Sequence, residues 1–343
     1  MYKTSAVAGY FLLICLLLLT SVPVAQAQAD AQALTACTEL AFSTEEDFLT
    51  RGPVPPDGNP IISDGDLLSS TGAICLRNKQ LLAKWDLQRD LGLDAADVLD
   101  VDSGLVAFST ELDDPQGRFK SGDLLITSGA VIPNLALLQL FQVEHEMGLD
   151  AVHFIGKSEA IQRFASFAAT ENRDDWLAPG KLTGFLKEYG IDIWFSTEAT
   201  ERLAATAPIL DGDLLSAQAG IHVLRQDQFQ PASVPAGIPT RGVDFGVDAF
   251  TASRGTNRDL GRFSTEILFR GKPPFNDGDV LRVATGVVEF TNIDLVTPFE
   301  PAARFLGLDA LYMKIDDGGN NEPDGEDNLF LPGMFKAVSA EVR

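Results

Sequence analysis

Several groups of carboxylates in this chain are spaced as a hard cation requires. The densest is Asn320-Asn321-Glu322-Pro323-Asp324-Gly325-Glu326-Asp327-Asn328, in which Asn320, Glu322 and Asp324 fall at alternate positions and Gly325 follows. That order copies the front half of an EF-hand loop, where alternating oxygen side chains and a turn-forming glycine wrap Ca²⁺. The twelfth position is Leu331 instead of a bidentate Glu, so Asp316 and Asp317 or Asp327 would have to complete the shell, with Glu326 a further candidate ligand. A second group recurs along the chain as Asp64-Gly65-Asp66, Ser121-Gly122-Asp123, Asp211-Gly212-Asp213 and Asp277-Gly278-Asp279. Here Asp66, Asp123, Asp213 and Asp279 are candidate Ca²⁺ ligands on equivalent loops. The competing account is that each Asp bonds its own backbone in a tight turn, the more common use of a single Asp-Gly. Glu45, Glu111, Glu198 and Glu266, each at the end of a Phe-Ser-Thr-Glu stretch, are further candidates for the same face.

Catalytic patterns are sparse. The three histidines, His145, His153 and His222, have no zinc-type spacing to each other or to a cysteine, and neither a Gly-X-Ser-X-Gly elbow nor a phosphate-cradling glycine loop occurs. Near-equal copies of the same acids favour a binding or scaffold protein. The alternative is a secreted hydrolase, glycosidase-like or metal-assisted, that uses loop carboxylates.

The elements that would position these acids are repeats. Three landmarks recur in one order: Phe-Ser-Thr-Glu from Phe42, Phe108, Phe195 and Phe263; the Gly-Asp turns; and Gly-Leu/Val-Asp-Ala from Gly92, Gly148, Gly246 and Gly307. Such recurrence marks a tandem-repeat protein. The units fall at about 38–91, 92–147, 148–245 and 246–314, followed by an acidic tail at 315–343. Each is predicted to hold one strand at Gly-Leu-Asp-Ala, one at Phe-Ser-Thr-Glu and one after the Gly-Asp turn. In the second unit that last strand would run unbroken from Asp123 to Ile132. Asn78, Asn134 and Asn292 each precede an aromatic residue by seven positions, two helical turns, which in the first two units suggests an Asn N-cap and one apolar face. In the third unit a Pro/Gly-rich passage at 231–242 stands in place of the helix. Residues 157–190 have helical periodicity and read as an insertion against the array.

The chain begins on the second strand type and ends on the first. That offset predicts a mainly β fold with short helices, closed as a four-bladed β-propeller whose last blade is completed by both termini. The alternative is two β-rich domains of two repeats each. The layout loosely resembles the hemopexin-like propellers, whose units begin with an Asp-Ala pair and run through a Gly-Asp turn. The resemblance implies that Asp94, Asp150, Asp248 and Asp309 line an axial channel that holds cations, with ligand recognition on the rim. The family's aromatic pair after the Gly-Asp turn is replaced here by Leu-Leu or Val-Leu. Its disulfide between first and last units has no counterpart.

Composition sets the remaining expectations. Residues 1–27 read as a secretory signal peptide: Lys3, an apolar run at 6–20, then Ala25-Gln26-Ala27. The chain is therefore expected outside the cell or in the periplasm, where Cys37 and Cys75 are candidates for a disulfide, with free buried thiols as the alternative. A net charge of −23 argues against nucleic acid and anionic membrane surfaces and for cations or basic partners. The reading is a monomer, stabilised by Ca²⁺, that binds an extracellular protein or glycan.

Overall fold

A computed structural model describes residues 34–202, 207–239, 241–254 and 261–315. The leader at 1–27 and the tail loop with Asn320, Glu322, Asp324 and Glu326 lie outside the described residues.

Each repeat unit folds into a four-stranded antiparallel sheet. Sheet two runs in the order Ala96–Asp100, Leu105–Phe108, Leu124–Ile126 and Ala130–Ile132. Sheet three runs Val152–Ile155, Asp192–Phe195, Leu214–Ser216 and Ile221–Leu224; sheet four runs Phe250–Thr251, Arg262–Phe263, Val280–Arg282 and Val287–Phe290. Sheet one contains Leu40–Phe42, Leu67–Ser69 and Ile74–Leu76, and takes its leading strand, Leu311–Met313, from the other end of the described chain. Leu40 lies opposite Met313, Ala41 opposite Tyr312 and Phe42 opposite Leu311. A two-stranded ribbon, Phe48–Leu49 with Ile61–Ile62, completes the set.

Two expectations about architecture are corrected. The closed four-bladed propeller is not what the ladder pairing shows: among the described residues the strands form five separate small antiparallel sheets, none closed or curled on itself. Nor do the units split into two pairs. The leading strand Ala96–Asp100 packs against both Val152–Ile155 and Leu311–Met313, and Phe250–Thr251 packs against the same two. All four sheets thus meet through side chains of their first strands.

The core follows from the repeated landmarks. Phe42, Phe108, Phe195 and Phe263, the aromatic that opens each Phe-Ser-Thr-Glu, are fully buried. Burying one such ring stabilises the fold by about 1.5–3 kcal/mol. The stretch after each Gly-Asp turn, predicted as one strand, is a hairpin. In sheet two the chain turns at Thr127-Ser128-Gly129, and Gly129 supplies a φ of +104°.

The asparagines do not cap their helices. Asn78, Asn134 and Asn292 are the first residues of the short helices Asn78–Leu81, Asn134–Leu137 and Asn292–Val296, whose N-caps are Arg77, Pro133 and Thr291. In the third unit a matching turn, Gln226–Phe229, exists after all, with Gln226 at the asparagine position. The insertion holds two helices, Ser158–Ala168 and Lys181–Tyr189, joined through a turn at Arg173–Leu177. Ile161, Phe164, Trp176, Leu182 and Leu186 are buried against sheets two and three. Cys37 and Cys75 are joined as a disulfide with their Cα atoms 5.9 Å apart.

Candidate cation site

The landmark residues fasten neighbouring units together and bring their acids to one end of the leading strands. Ser43, Ser109, Ser196 and Ser264 each donate a backbone N–H to the alanine carbonyl of their own sheet's leading segment: Ala310, Ala95, Ala151 and Ala249. The hydroxyls of Ser43, Ser109 and Ser196 reach into the next unit, while that of Ser264 is buried without a partner. Ser109 Oγ donates to the Leu149 carbonyl at 2.9 Å and Ser196 Oγ to the Val247 carbonyl at 2.8 Å. The asparagines do the same one element later. Asn134 Nδ2 donates to the Gly148 carbonyl at 2.6 Å while its Oδ1 accepts the Met147 N–H at 2.9 Å. Asn78 and Asn292 repeat this on Gly92 with Leu91 and on Gly307 with Leu306.

The landmark glycine is required for space as well as conformation. Gly92, Gly148, Gly246 and Gly307 have φ of +72°, +74°, +67° and +63°. A Cβ on Gly92 or on Gly246 would come within 2.5 Å of the Glu111 or the Glu266 carboxyl carbon. Each Glu carboxyl thus lies directly over the glycine of its own sheet. The next backbone N–H donates to it, Leu308 to Glu45 and Leu149 to Glu198. Two residues past each glycine stands the landmark Asp. The fold therefore gathers Glu45, Glu111, Glu198 and Glu266 with Asp94, Asp150, Asp248 and Asp309, and the first Asp of three Gly-Asp turns, Asp64, Asp211 and Asp277, joins them.

These carboxyls are one another's neighbours. Asp248 is 8% exposed and faces Glu266, Asp150, Glu45 and Asp309; Asp150 is 9% exposed and faces Glu198, Glu266, Asp94 and Asp211. Burial and then these like charges push both well above the usual carboxylate range. The same causes raise Asp94 to about 8 and Asp309 to about 9. Burial with neighbouring acids brings Asp64 to about 6, Glu111 and Asp277 to about 7, and Asp211 to about 8. Glu45 and Asp277 lie within hydrogen-bond reach of each other, as do Asp211 and Asp244, so each pair can share a proton. One oxygen on each of Asp94, Asp150, Asp248 and Asp309 (Oδ2) and of Asp211 and Asp277 (Oδ1) is buried with no hydrogen-bond partner. Glu45, Asp248 and Asp277 present carboxylate oxygens within 4.8 Å of one another.

The second Asp of each Gly-Asp turn is used differently. Asp66 accepts the N–H groups of Ser63 and Asn78 and pairs with Arg77. Asp123 accepts from Lys120 and Asn134 and pairs with Arg173 of the insertion at 2.7 Å. Asp213 and Asp279 accept the corresponding pairs of backbone N–H groups, from Leu210 and Gln226 and from Asn276 and Asn292. Their oxygens close the turn and hold the start of the short helix. The structure thus sets Asp66, Asp123, Asp213 and Asp279 apart from the unpartnered acids, while it brings Asp94, Asp150, Asp248 and Asp309 together.

One buried arrangement gave no sequence signal. Three residues beyond Asp94, on the leading strand Ala96–Asp100, Asp97 accepts from Arg254 Nη2 at 2.6 Å and from the Phe154 N–H at 2.8 Å, with His153 Nδ1 3.5 Å away. Burial alone would raise the Asp97 carboxyl, but Arg254 and His153 beside it hold it below the usual range. This group locks sheets two, three and four together through a buried ion pair between Arg254 and Asp97. Its partners lie 57 and 157 residues away, so no local spacing announces it. His222 Nε2 lies 3.2 Å from the Pro208 carbonyl and 3.3 Å from Asp213, and His145 lies 3.4 Å from Glu201. Among the described residues no helix is long and apolar enough to cross a membrane. Comparison with known protein families, with curated proteins and with solved structures returns no match for this chain.

Proposed function

We propose that the chain is a secreted, acidic β-repeat binding or scaffold protein whose clustered carboxylates hold divalent cations, with Ca²⁺ as the ion. The observation that carries this reading is the set of buried, unpartnered oxygens on Asp94, Asp150, Asp248, Asp309, Asp211 and Asp277, whose neighbours are other carboxylates. Grouping like charges away from water is costly unless protons or a cation compensate them. The oxygen type selects a hard ion. Oxygens on opposite sides of Ca²⁺ lie roughly 5 Å apart, against about 4 Å for Mg²⁺. The trio Glu45, Asp248 and Asp277 brings carboxylate oxygens within 4.8 Å of one another, close enough for one hard cation to touch all three.

A partner would meet the cation at its rim. A groove of about 400 Å³ beside Glu45 is lined by Phe48, Leu49, Phe305 and Leu306, with Leu49 and Phe305 exposed. A protein loop or glycan that completes the coordination of the ion would lie against that apolar strip. The carboxylate hydrolase is the weaker reading, since the acids come as repeated copies and not as one irregular pair. The test is thermal unfolding of the chain stripped with chelator and then supplied with CaCl₂ at constant ionic strength, alongside MgCl₂. Binding predicts a higher melting temperature in Ca²⁺ than in Mg²⁺; equal curves in chelator and in CaCl₂ would remove the cation from the account.

A further inference from the structure

The one seam between units that lacks a serine bond is also the one at which carboxylate oxygens converge. Ser43 Oγ donates to the Leu93 carbonyl, Ser109 Oγ to Leu149 and Ser196 Oγ to Val247, which fastens sheet one to two, two to three and three to four. The hydroxyl of Ser264, at the same station of sheet four, is buried without a partner. The seam it leaves unfastened is the one between sheet four and sheet one.

That seam also differs in connectivity. In sheets two, three and four the leading and second strands follow each other along the chain; in sheet one Leu311–Met313 and Leu40–Phe42 come from opposite ends of the described residues. Sheet four keeps side-chain bonds from Asn292 to Gly307 and Leu306, and from Thr251 to Met313. All of these fall on the segment that the backbone already joins to unit four. The amino-terminal side is tied further out, where Thr50 and Arg51 donate to the Phe299 and Glu300 carbonyls. Glu45, three residues past Leu40–Phe42, meets sheet four's own acids: its carboxylate comes within 4.8 Å of Asp248, just before the leading strand, and of Asp277 in the Gly-Asp turn. Asp248 is 8% exposed, and its Oδ2 and the Oδ1 of Asp277 have no hydrogen-bond partner.

We infer that a cation held by Glu45, Asp248 and Asp277 is a clasp, which ties the amino-terminal strand of sheet one to sheet four where no serine bond does so. This rests on the cation reading above and goes further by giving the ion a local task. Without the ion the three like charges push the two sides of the seam apart; with it, each side is drawn to a shared centre. The ion binds only while the seam is shut, so by mass action it opposes that opening above all others. In the metal-free chain sheet one is the first to part.

Hydrogen–deuterium exchange read by mass spectrometry on the full chain at pH 7.5, in chelator and in CaCl₂ at constant ionic strength, tests this. The reporting amides are Ser43 and Glu45, which donate to the Ala310 and Leu306 carbonyls; the reference amides are Ser109, Ser196 and Ser264, which donate to Ala95, Ala151 and Ala249. With free Ca²⁺ at about ten times its dissociation constant, peptides with the reporting amides exchange about tenfold more slowly, and the reference peptides change by less than about twofold. Glu45→Gln and Asp277→Asn, made separately, each lose the slowing at sheet one. Near-ultraviolet circular dichroism checks their packing; should either fail to fold, the pattern in the parent chain decides. Equal slowing at all four serine stations, or none at sheet one in a chain that equilibrium dialysis shows to bind Ca²⁺, would overturn the clasp and leave the cation reading standing. Slowing at sheet one that survives in either folded variant would overturn it too. A parent chain that takes up no Ca²⁺ would overturn both.

Discussion

Asn134 and Gly148 are 14 residues apart in sequence, and a 2.6 Å hydrogen bond from the asparagine amide to the glycine carbonyl ties the end of one sheet's unit to the start of the next. The same asparagine accepts the Met147 N–H, and it is itself fully buried. Replacing it by alanine strands a buried carbonyl and a buried N–H, each costing about 1–3 kcal/mol. Asn134→Ala should therefore lose roughly 2 kcal/mol or more in urea unfolding, with Asn78→Ala close behind. A loss below about 0.5 kcal/mol, the range of an ordinary surface change, would show that the staple is incidental.

The pH dependence of the metal-free chain should run opposite to that of most proteins. Asp64, Glu111, Asp277, Asp94, Asp211 and Asp309 are raised in the folded state to about 6, 7, 7, 8, 8 and 9. Between the unfolded value near 4 and these values the folded chain binds more protons than the unfolded one, so stability falls as pH rises. In chelator the melting temperature should decline from pH 5 to pH 9, and saturating CaCl₂ should flatten or reverse that decline. A melting temperature in chelator that rises across the same window would contradict the raised carboxyls. Below pH 4 the opposite sign takes over, because Asp97 and Asp114 are held low by Arg254 and Arg118 and lose their pairing when protonated.

Asp248 separates stability from binding. Its carboxyl is buried among Glu266, Asp150, Glu45 and Asp309, so neutralising it removes repulsion that the metal-free fold carries at pH 8. Asp248→Asn should melt higher than the parent in chelator, by on the order of 1 kcal/mol, and should respond less to CaCl₂. A variant that is less stable in chelator and equally responsive to Ca²⁺ would mean that the carboxylate is a structural acceptor and not a ligand.

Much of the local order is written in the sequence. Phe-Ser-Thr-Glu, the Gly-Asp turn and Gly-Leu-Asp-Ala each map to one structural station, because their residues serve fixed purposes as a buried ring, a bridging hydroxyl and a carboxyl over a glycine. The split between Asp64, Asp211 and Asp277 on one side and Asp66, Asp123, Asp213 and Asp279 on the other was not legible. Both are Asp beside the same glycine, and only the alternation of chain direction through the turn decides which one meets the backbone N–H groups and which meets the other acids. The asparagine at the helix start was likewise legible as important but not in its role, since a cap and a cross-unit staple need the same residue type. The strand order read from spacing matches the order within the sheets, but closure into a propeller does not follow from it, because the leading strands meet one another without ladder bonds. The Asp97–Arg254 pair lay beyond any local pattern.

The central claim is that the raised carboxyls themselves are the cation ligands. Calorimetric titration of CaCl₂ into the metal-free chain at pH 7.5, in two buffers of different ionisation enthalpy, tests it most directly. Carboxyls near 8 and 9 hold protons at that pH and must release them to coordinate, so the heat should differ between buffers by more than one proton per chain. Binding whose heat is the same in both buffers would place the ion away from these acids.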